Sequence, residues 1–170
     1  MRCRRVPVHA SVTSYELHAI KGDVVGDAPS SADTTDGDSQ AELILVVEDN
    51  PITRKTFGVV LGSAGYTVLE AGDAATALAC IAKHRPAMVL QDLVLPDMDG
   101  IELLRRLRAH PHARDIPILG VSGFLARMNE ATATNSGFTA LVLKPIEPTQ
   151  LLEIVRLHLD RAQANSGAKT

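Results

Sequence analysis

Three carboxylates, a hydroxyl and an ammonium occupy one kind of position in this sequence, the end of a short apolar run. Glu48 and Asp49 follow residues 43–47, Asp92 follows 87–91, Ser122 follows 116–121, and Lys144 follows 141–143. Such runs of Val, Ile and Leu bounded by turn residues read as strands buried on both faces, the pattern of a parallel sheet. In an open α/β sheet the C-terminal strand ends border the crevice where ligands bind. The pattern therefore gathers all five side chains into one cleft. Three crowded carboxylates repel, and a hard divalent cation such as Mg²⁺ relieves them. An Asp at the centre can attack a phosphoryl group and hold it as an aspartyl phosphate. The cation and Lys144 would neutralise charge on that group, and Ser122 would contact one of its oxygens. Phosphoryl transfer to Asp92 uses every member of the set.

The segments between the runs must be helices that hold these ends in place. Asn50 reads as an N-cap and Pro51 as the first helical residue. Thr53, Phe57, Val60, Leu61 and Ala64 form the apolar face of that helix, which ends near Gly65 before a short strand at 67–70. Asp73 caps a second helix running to about His84, and Pro86 opens the strand that leads to Asp92. Ile101, Leu104 and Leu107 line a third helix, stopping at His110-Pro111. A weaker fourth, 124–136, contains the mediocre helix formers Asn129, Thr132, Thr134 and Asn135. Its marginal stability beside Ser122 makes it a candidate moving part. Leu151, Ile154, Val155, His158 and Leu159 line the last helix, begun by Pro148 in its first turn. The expected architecture is α/β: a five-stranded parallel doubly wound sheet with helices on both faces and right-handed crossovers.

Four strings sharpen this reading: Val46-Val47-Glu48-Asp49-Asn50-Pro51, Asp92-Leu93-Val94-Leu95-Pro96-Asp97-Met98-Asp99-Gly100, Val121-Ser122-Gly123, and Leu143-Lys144-Pro145-Ile146. Asp49 to Asp92 is 43 positions, Asp92 to Ser122 is 30, and Ser122 to Lys144 is 22. In content, order and separation these strings resemble the receiver domains of two-component response regulators, a flavodoxin-like fold, over about residues 41–161. The resemblance implies that Asp92 is the phosphoacceptor. It implies that Glu48, Asp49, Asp92 and the backbone carbonyl of Val94 hold Mg²⁺. Ser122 matches the switch hydroxyl, Lys144 the lysine that pairs with the phosphoryl group, and Pro145 a proline reached through a cis peptide. One position departs: Leu141 stands where the family usually has its switch aromatic.

The function implied is a phosphorylation-activated signalling switch. It would take a phosphoryl group from a phosphohistidine of a histidine kinase or phosphotransfer protein and act on a downstream protein by contact. The Val-Glu-Asp-Asn-Pro and Lys-Pro-Ile strings look most like receivers of hybrid kinases and phosphorelays. On this reading the chain is a phosphoacceptor regulator rather than an enzyme. Two alternatives stay open. An inactive receiver serving only as an interaction module would suit Leu141, although all five reactive residues argue against it. An aspartate-nucleophile phosphohydrolase would want a second Asp two residues after Asp92, and that position is Val94. Each string by itself also has a plain structural meaning. Glu48 to Pro51 can simply start a helix, Asp92 can open a turn, and Lys144 can be a solvated surface lysine. Only the joint spacing separates the readings.

Composition bounds the rest. Residues 41–161 suffice for one sizeable core. Residues 1–40 read as a flexible leader, rich in Ser, Asp, Thr, Ala and Gly from 27 to 40, and 162–170 as a short tail. No output domain is expected after it. His18, Lys21 and Gly22 resemble a phosphohistidine motif, but there is no room around them for the helical bundle such a site needs. Apolar content of 45% with 3% aromatic and no Trp implies a core of Leu, Val, Ile and Ala. A net charge of -3 offers no broad basic field, so direct DNA binding is not expected. Cys3 and Cys80 imply no disulfide framework, and Cys80 reads as a small core residue. With no apolar stretch long enough for a membrane span, a cytoplasmic setting is expected.

Overall fold

A computed structural model describes residues 4–6, 41–123 and 136–167 of the chain. Its strands are β1 (Arg4–Val6), β2 (Leu43–Val47), β3 (Thr67–Ala71), β4 (Met88–Asp92), β5 (Ile118–Ser122) and β6 (Ala140–Leu143). Its helices are α1 (Pro51–Ser63), α2 (Ala74–Lys83), α3 (Gly100–Ala109) and α4 (Pro148–Gly167). Five strands run parallel in the order β3-β2-β4-β5-β6, and β1 joins antiparallel outside β3. The parallel five are the doubly wound sheet that the apolar runs implied. The edge strand β1 has no counterpart in the sequence reading, which treated this region as leader.

Alternation along the strands builds two cores. Leu45, Val47 and Leu69 face α2 and α3, packing on Ala77, Ile81, Leu103, Leu104 and Leu107. Ile44, Val46 and Val68 face the other way, onto Phe57 and Leu61 of α1 and Leu151, Val155 and Leu159 of α4. The result is three layers with helices on both faces of the sheet. Burying each of these aliphatic side chains is worth about 2 kcal/mol, so both faces hold the strands in register. Register then levels the strand ends: Val47 lies opposite Gln91, Asp92 opposite Val121, and Ser122 opposite Leu143.

The helix starts follow local chemistry. The Asn50 side chain accepts hydrogen bonds from the Ile52 and Thr53 amides at 2.9 and 3.2 Å, with Pro51 at the first position of α1. Gly65, at φ 93°, turns the chain out of α1 in the left-handed region that suits glycine. Asp73 caps α2 by accepting from Thr76 N–H at 2.7 Å. In α3 the inward face differs from expectation. Ile101 is 40% exposed, while Gly100, Leu103, Leu104 and Leu107 are buried. Asp99 caps the helix and Gly100 begins it, so the sheet-facing stripe runs 100, 103, 104, 107 and Ile101 falls roughly 100° off it.

Several boundaries shift. Strands β3, β4 and β5 each extend one residue past the expected end, so Asp92 and Ser122 are themselves the last residues of their strands. Strand β5 starts at Ile118 because Pro117 has no N–H to donate; its carbonyl instead accepts from Val89 N–H at 3.0 Å. Ala64 lies just past α1 and is exposed. Helix α4 continues to Gly167, beyond the boundary expected at 161. The expected fourth helix falls almost wholly on 124–135, outside the described residues. Cys80 is fully buried on α2, as read, but it is disulfide-bonded, which the sequence did not imply.

Candidate functional site

The levelled strand ends bring Glu48, Asp49, Asp92, Ser122 and Lys144 around a cavity of about 410 Å³, together with Asn50, Thr53, Val94 and Gly123. One carboxylate oxygen from each of Glu48, Asp49 and Asp92 lies within 4.8 Å of the others. Glu48 and Asp92 are buried, whereas Asp49 is exposed at the mouth. The Lys144 ammonium donates to Glu48 Oε2 and Asp92 Oδ2, both at 2.5 Å. One cation is thus shared by the two buried acids.

Backbone amides complete the arrangement. The Val94 N–H donates to Asp92 Oδ1 at 2.9 Å, and the Asn50 N–H to Glu48 Oε1 at 3.3 Å. Both oxygens of Asp92 are therefore oriented. Burial pushes the Glu48 carboxyl up from its usual range, Lys144 offsets this in part, and the charge on Asp92 adds to the rise. Burial works to lower the Lys144 ammonium, but its bonds to Asp92 and Glu48 outweigh that and raise it. The cleft holds more negative charge than its one lysine neutralises.

The loop after Asp92 is tied down at several points. Asp97 reaches across to α2 and accepts from the Ala74 and Ala75 amides at 2.9 and 3.0 Å, which holds its carboxyl below the usual range. Val94 and Asp99 form an isolated antiparallel bridge. Gly100 N–H donates to Leu93 O at 3.2 Å, and a Cβ at Gly100 would lie 2.6 Å from that oxygen, so only glycine fits. Buried Gln91, beside Asp92, donates its amide to Gly100 O at 2.6 Å. Val94 itself is 68% exposed, its side chain in solvent and its backbone at the cleft.

Ser122 is buried at the end of β5 and lines the cavity, with its carbonyl accepting from Lys144 N–H at 2.8 Å. The Lys144–Pro145 peptide is cis. Leu141 is half-buried on β6 opposite Gly120, and a Cβ at Gly120 would lie 2.5 Å from Leu141 Cδ2, 3.2 Å from Phe138 and 3.3 Å from Leu93. Leu141 and Phe138 together fill the space that Gly120 leaves. The six expected site residues other than Leu141 meet at one cleft, and Leu141 packs beneath it, three residues before Lys144 and opposite Gly120.

Arg54 escaped the sequence reading. Its guanidinium Nη1 donates to the backbone carbonyls of Glu48 at 2.5 Å and Asp49 at 3.1 Å. A signal was present: a cation in the first turn of a helix sits at the positive end of the dipole and wants an acceptor nearby. Asp97 was likewise passed over, its role visible only once α2 is beside the loop.

The acid cluster, its shared lysine and the levelled parallel strands define a class, and comparison with known proteins agrees. The response regulator receiver domain matches residues 44–156, and the chain belongs to that family, part of two-component signalling. A polar-differentiation response regulator, DivK, of Brucella anthropi is 29% identical over 119 residues, covering 70% of this chain and 97% of that protein. A CheY-like receiver domain protein from Methanospirillum hungatei superposes with a TM-score of 0.68 at 31% identity, over 74% of this chain and 98% of that one. The receiver domain of a sensor histidine kinase from Pseudomonas aeruginosa, solved with a magnesium ion in its active-site cleft, superposes at 0.65 with 27% identity, over 71% and 98%. Among the described residues no helix is long and apolar enough to cross a membrane.

Proposed function

We propose that this protein is a phosphorylation-activated switch in which Asp92 accepts a phosphoryl group from a phosphohistidine of a histidine kinase or phosphotransfer protein. The observation that carries the reading is one ammonium, Lys144, shared between buried Glu48 and Asp92 with Asp49 alongside. An Asp92 oxygen attacks the phosphorus, the P–N bond breaks, and the imidazole nitrogen leaves with the bonding pair and takes a proton. The Val94 N–H and Lys144 hold the attacking carboxylate in one orientation. Lys144 can then follow the charge from the carboxylate to the phosphoryl oxygens, and Ser122 offers its hydroxyl to one of them.

The hard oxygens of Glu48, Asp49 and Asp92, close together and short of positive charge, fit a divalent cation. With the Val94 carbonyl they would hold Mg²⁺, which supplies charge neutralisation for the phosphoryl oxygens. We propose the domain as about 41–161, and the cytoplasm, where ATP feeds histidine phosphorylation, as its setting. Output passes to a partner protein by contact, without direct DNA binding.

A second reading, an inactive receiver used as an interaction module, draws on Leu141 and its packing with Phe138 over Gly120. One assay separates the two. Incubation with acetyl phosphate and Mg²⁺, followed by intact mass, should add one labile phosphoryl group to wild type and none to Asp92→Asn. No gain in either protein would leave the interaction module, and turnover of small phosphoesters would point instead to a hydrolase.

A further inference from the structure

We infer that Arg54 is a positioning residue for the metal-holding acid pair, acting through the backbone of Glu48 and Asp49, and that Gly72 is the space that lets it do so. The inference rests on the Mg²⁺ reading above and adds to it a residue that touches neither the cation nor the phosphoryl group.

Glu48 and Asp49 sit in the turn between β2 and α1, and their backbone has little else to hold it. Glu48 N–H donates to Ala71 O at 3.0 Å. Arg54, one turn into α1, donates to the backbone carbonyls of both residues with a single nitrogen. Helix α1 thereby holds the turn through its backbone, while Lys144 meets the Glu48 carboxylate within the cleft. To reach the carbonyls the guanidinium crosses Gly72, just past β3. A Cβ at Gly72 would lie 3.1 Å from Arg54 Nη1 and 3.4 Å from Cζ. Gly72 does not adopt a positive φ, so its value here is space rather than conformational freedom.

Charge and positioning make opposite demands, which gives the inference a sign. Arg54 places a cation close to a site for another cation, so by charge alone its removal should tighten Mg²⁺ binding. By positioning its removal should weaken binding, since the turn loses the bonds that orient two of the ligands. Removal of groups that orient metal ligands commonly costs roughly tenfold or more in affinity.

The test measures Mg²⁺ affinity by isothermal titration calorimetry on the full chain, with the thermal midpoint of each metal-free protein recorded in parallel. Arg54→Ala should bind Mg²⁺ roughly tenfold more weakly than wild type, and Arg54→Lys, which keeps one donor, should recover part of the loss. Gly72→Val, which displaces the guanidinium without removing its charge, should weaken binding in the same direction. Tighter binding by Arg54→Ala, or unchanged affinity with only a lower midpoint, would overturn the inference. Should wild type itself bind no Mg²⁺, the metal reading falls, and Arg54 with it.

Discussion

The sheet carries a cavity at each end, similar in size and opposite in charge. At the C-terminal strand ends, about 410 Å³ is bordered by Glu48, Asp49 and Asp92. Near the N-terminal ends of β5 and β6, about 500 Å³ is bordered by Arg108, Arg114, Arg161 and His158, with Asp115 among them. Volume alone would favour the second. What differs is what the central charged side chains are bonded to. Arg108 is half-buried, which lowers its pKa, and its nitrogens donate to the carbonyls of Ala113, Arg114, Ile116 and Gly137 at 2.6 to 3.3 Å. It ties the chain between α3 and β5 to the start of β6. The acids at the other end have one lysine between two of them and a surplus of negative charge. Acids that face an open cavity with one lysine between two of them mark a site that can take up a cation; an arginine whose donors are taken by backbone carbonyls marks a structural joint.

Substitutions at the two ends should therefore fail in different ways. The largest effect is expected from Asp92→Asn, with complete loss of phosphoryl uptake from acetyl phosphate by intact mass while cooperative unfolding is kept. Uptake persisting at wild-type levels would move the acceptor elsewhere. Arg108→Ala should do the reverse. Removing a guanidinium bonded to four carbonyls should cost about 2 kcal/mol of unfolding free energy in urea titration, with phosphoryl uptake unchanged. Lost uptake in a folded Arg108→Ala protein would erase the contrast between the ends.

Lys144→Met sharpens the contrast within the cleft. Taking away the cation that Glu48 and Asp92 share should lower metal-free stability by about 2 kcal/mol, less than for a fully buried pair because Lys144 is partly exposed. Added Mg²⁺ should then raise the thermal midpoint of the variant more than that of wild type, because the ion no longer competes with the ammonium. Equal shifts would mean that lysine and metal do not share ligands.

The smallest effect belongs to Asp97. Its carboxyl is held below the usual 3.8 by the Ala74 and Ala75 amides, so it contributes stability above that value and loses it as pH falls through its lower folded pKa. Wild type should exceed Asp97→Asn in stability at neutral pH, with the gap closing below about pH 3.8 and shrinking in high salt because the group is exposed. A gap that persists in acid would assign the loop's stability to something other than this carboxylate.

Much of this was legible along the chain because it depends on periods and caps. Asn50, Pro51 and Asp73 start their helices as read, and the Asn50 cap belongs to the same string that carries the acid pair. The structural and chemical readings of that string are both true. Ile101 misled because it shares helical spacing with Leu104 and Leu107, whereas the buried stripe runs through Gly100, Leu103, Leu104 and Leu107. The strand at Arg4–Val6 carried no signal, being three residues whose pairing is supplied by the edge of β3. Leu141 was visible as a missing aromatic, but Phe138 and Gly120 as the pieces packed around it were not.

By itself the sequence determined which residues would end strands, hence which acids, hydroxyl and amine would meet, since alternation and turn chemistry act over a few residues. Only the tertiary structure decided how their charge is apportioned. That Lys144 bridges Glu48 and Asp92, that Asp97 anchors its loop on α2, and that Arg54 crosses Gly72 to hold the acid pair all depend on contacts between elements distant in the chain. Such contacts form when the strands pack between their helices, and no local period encodes them.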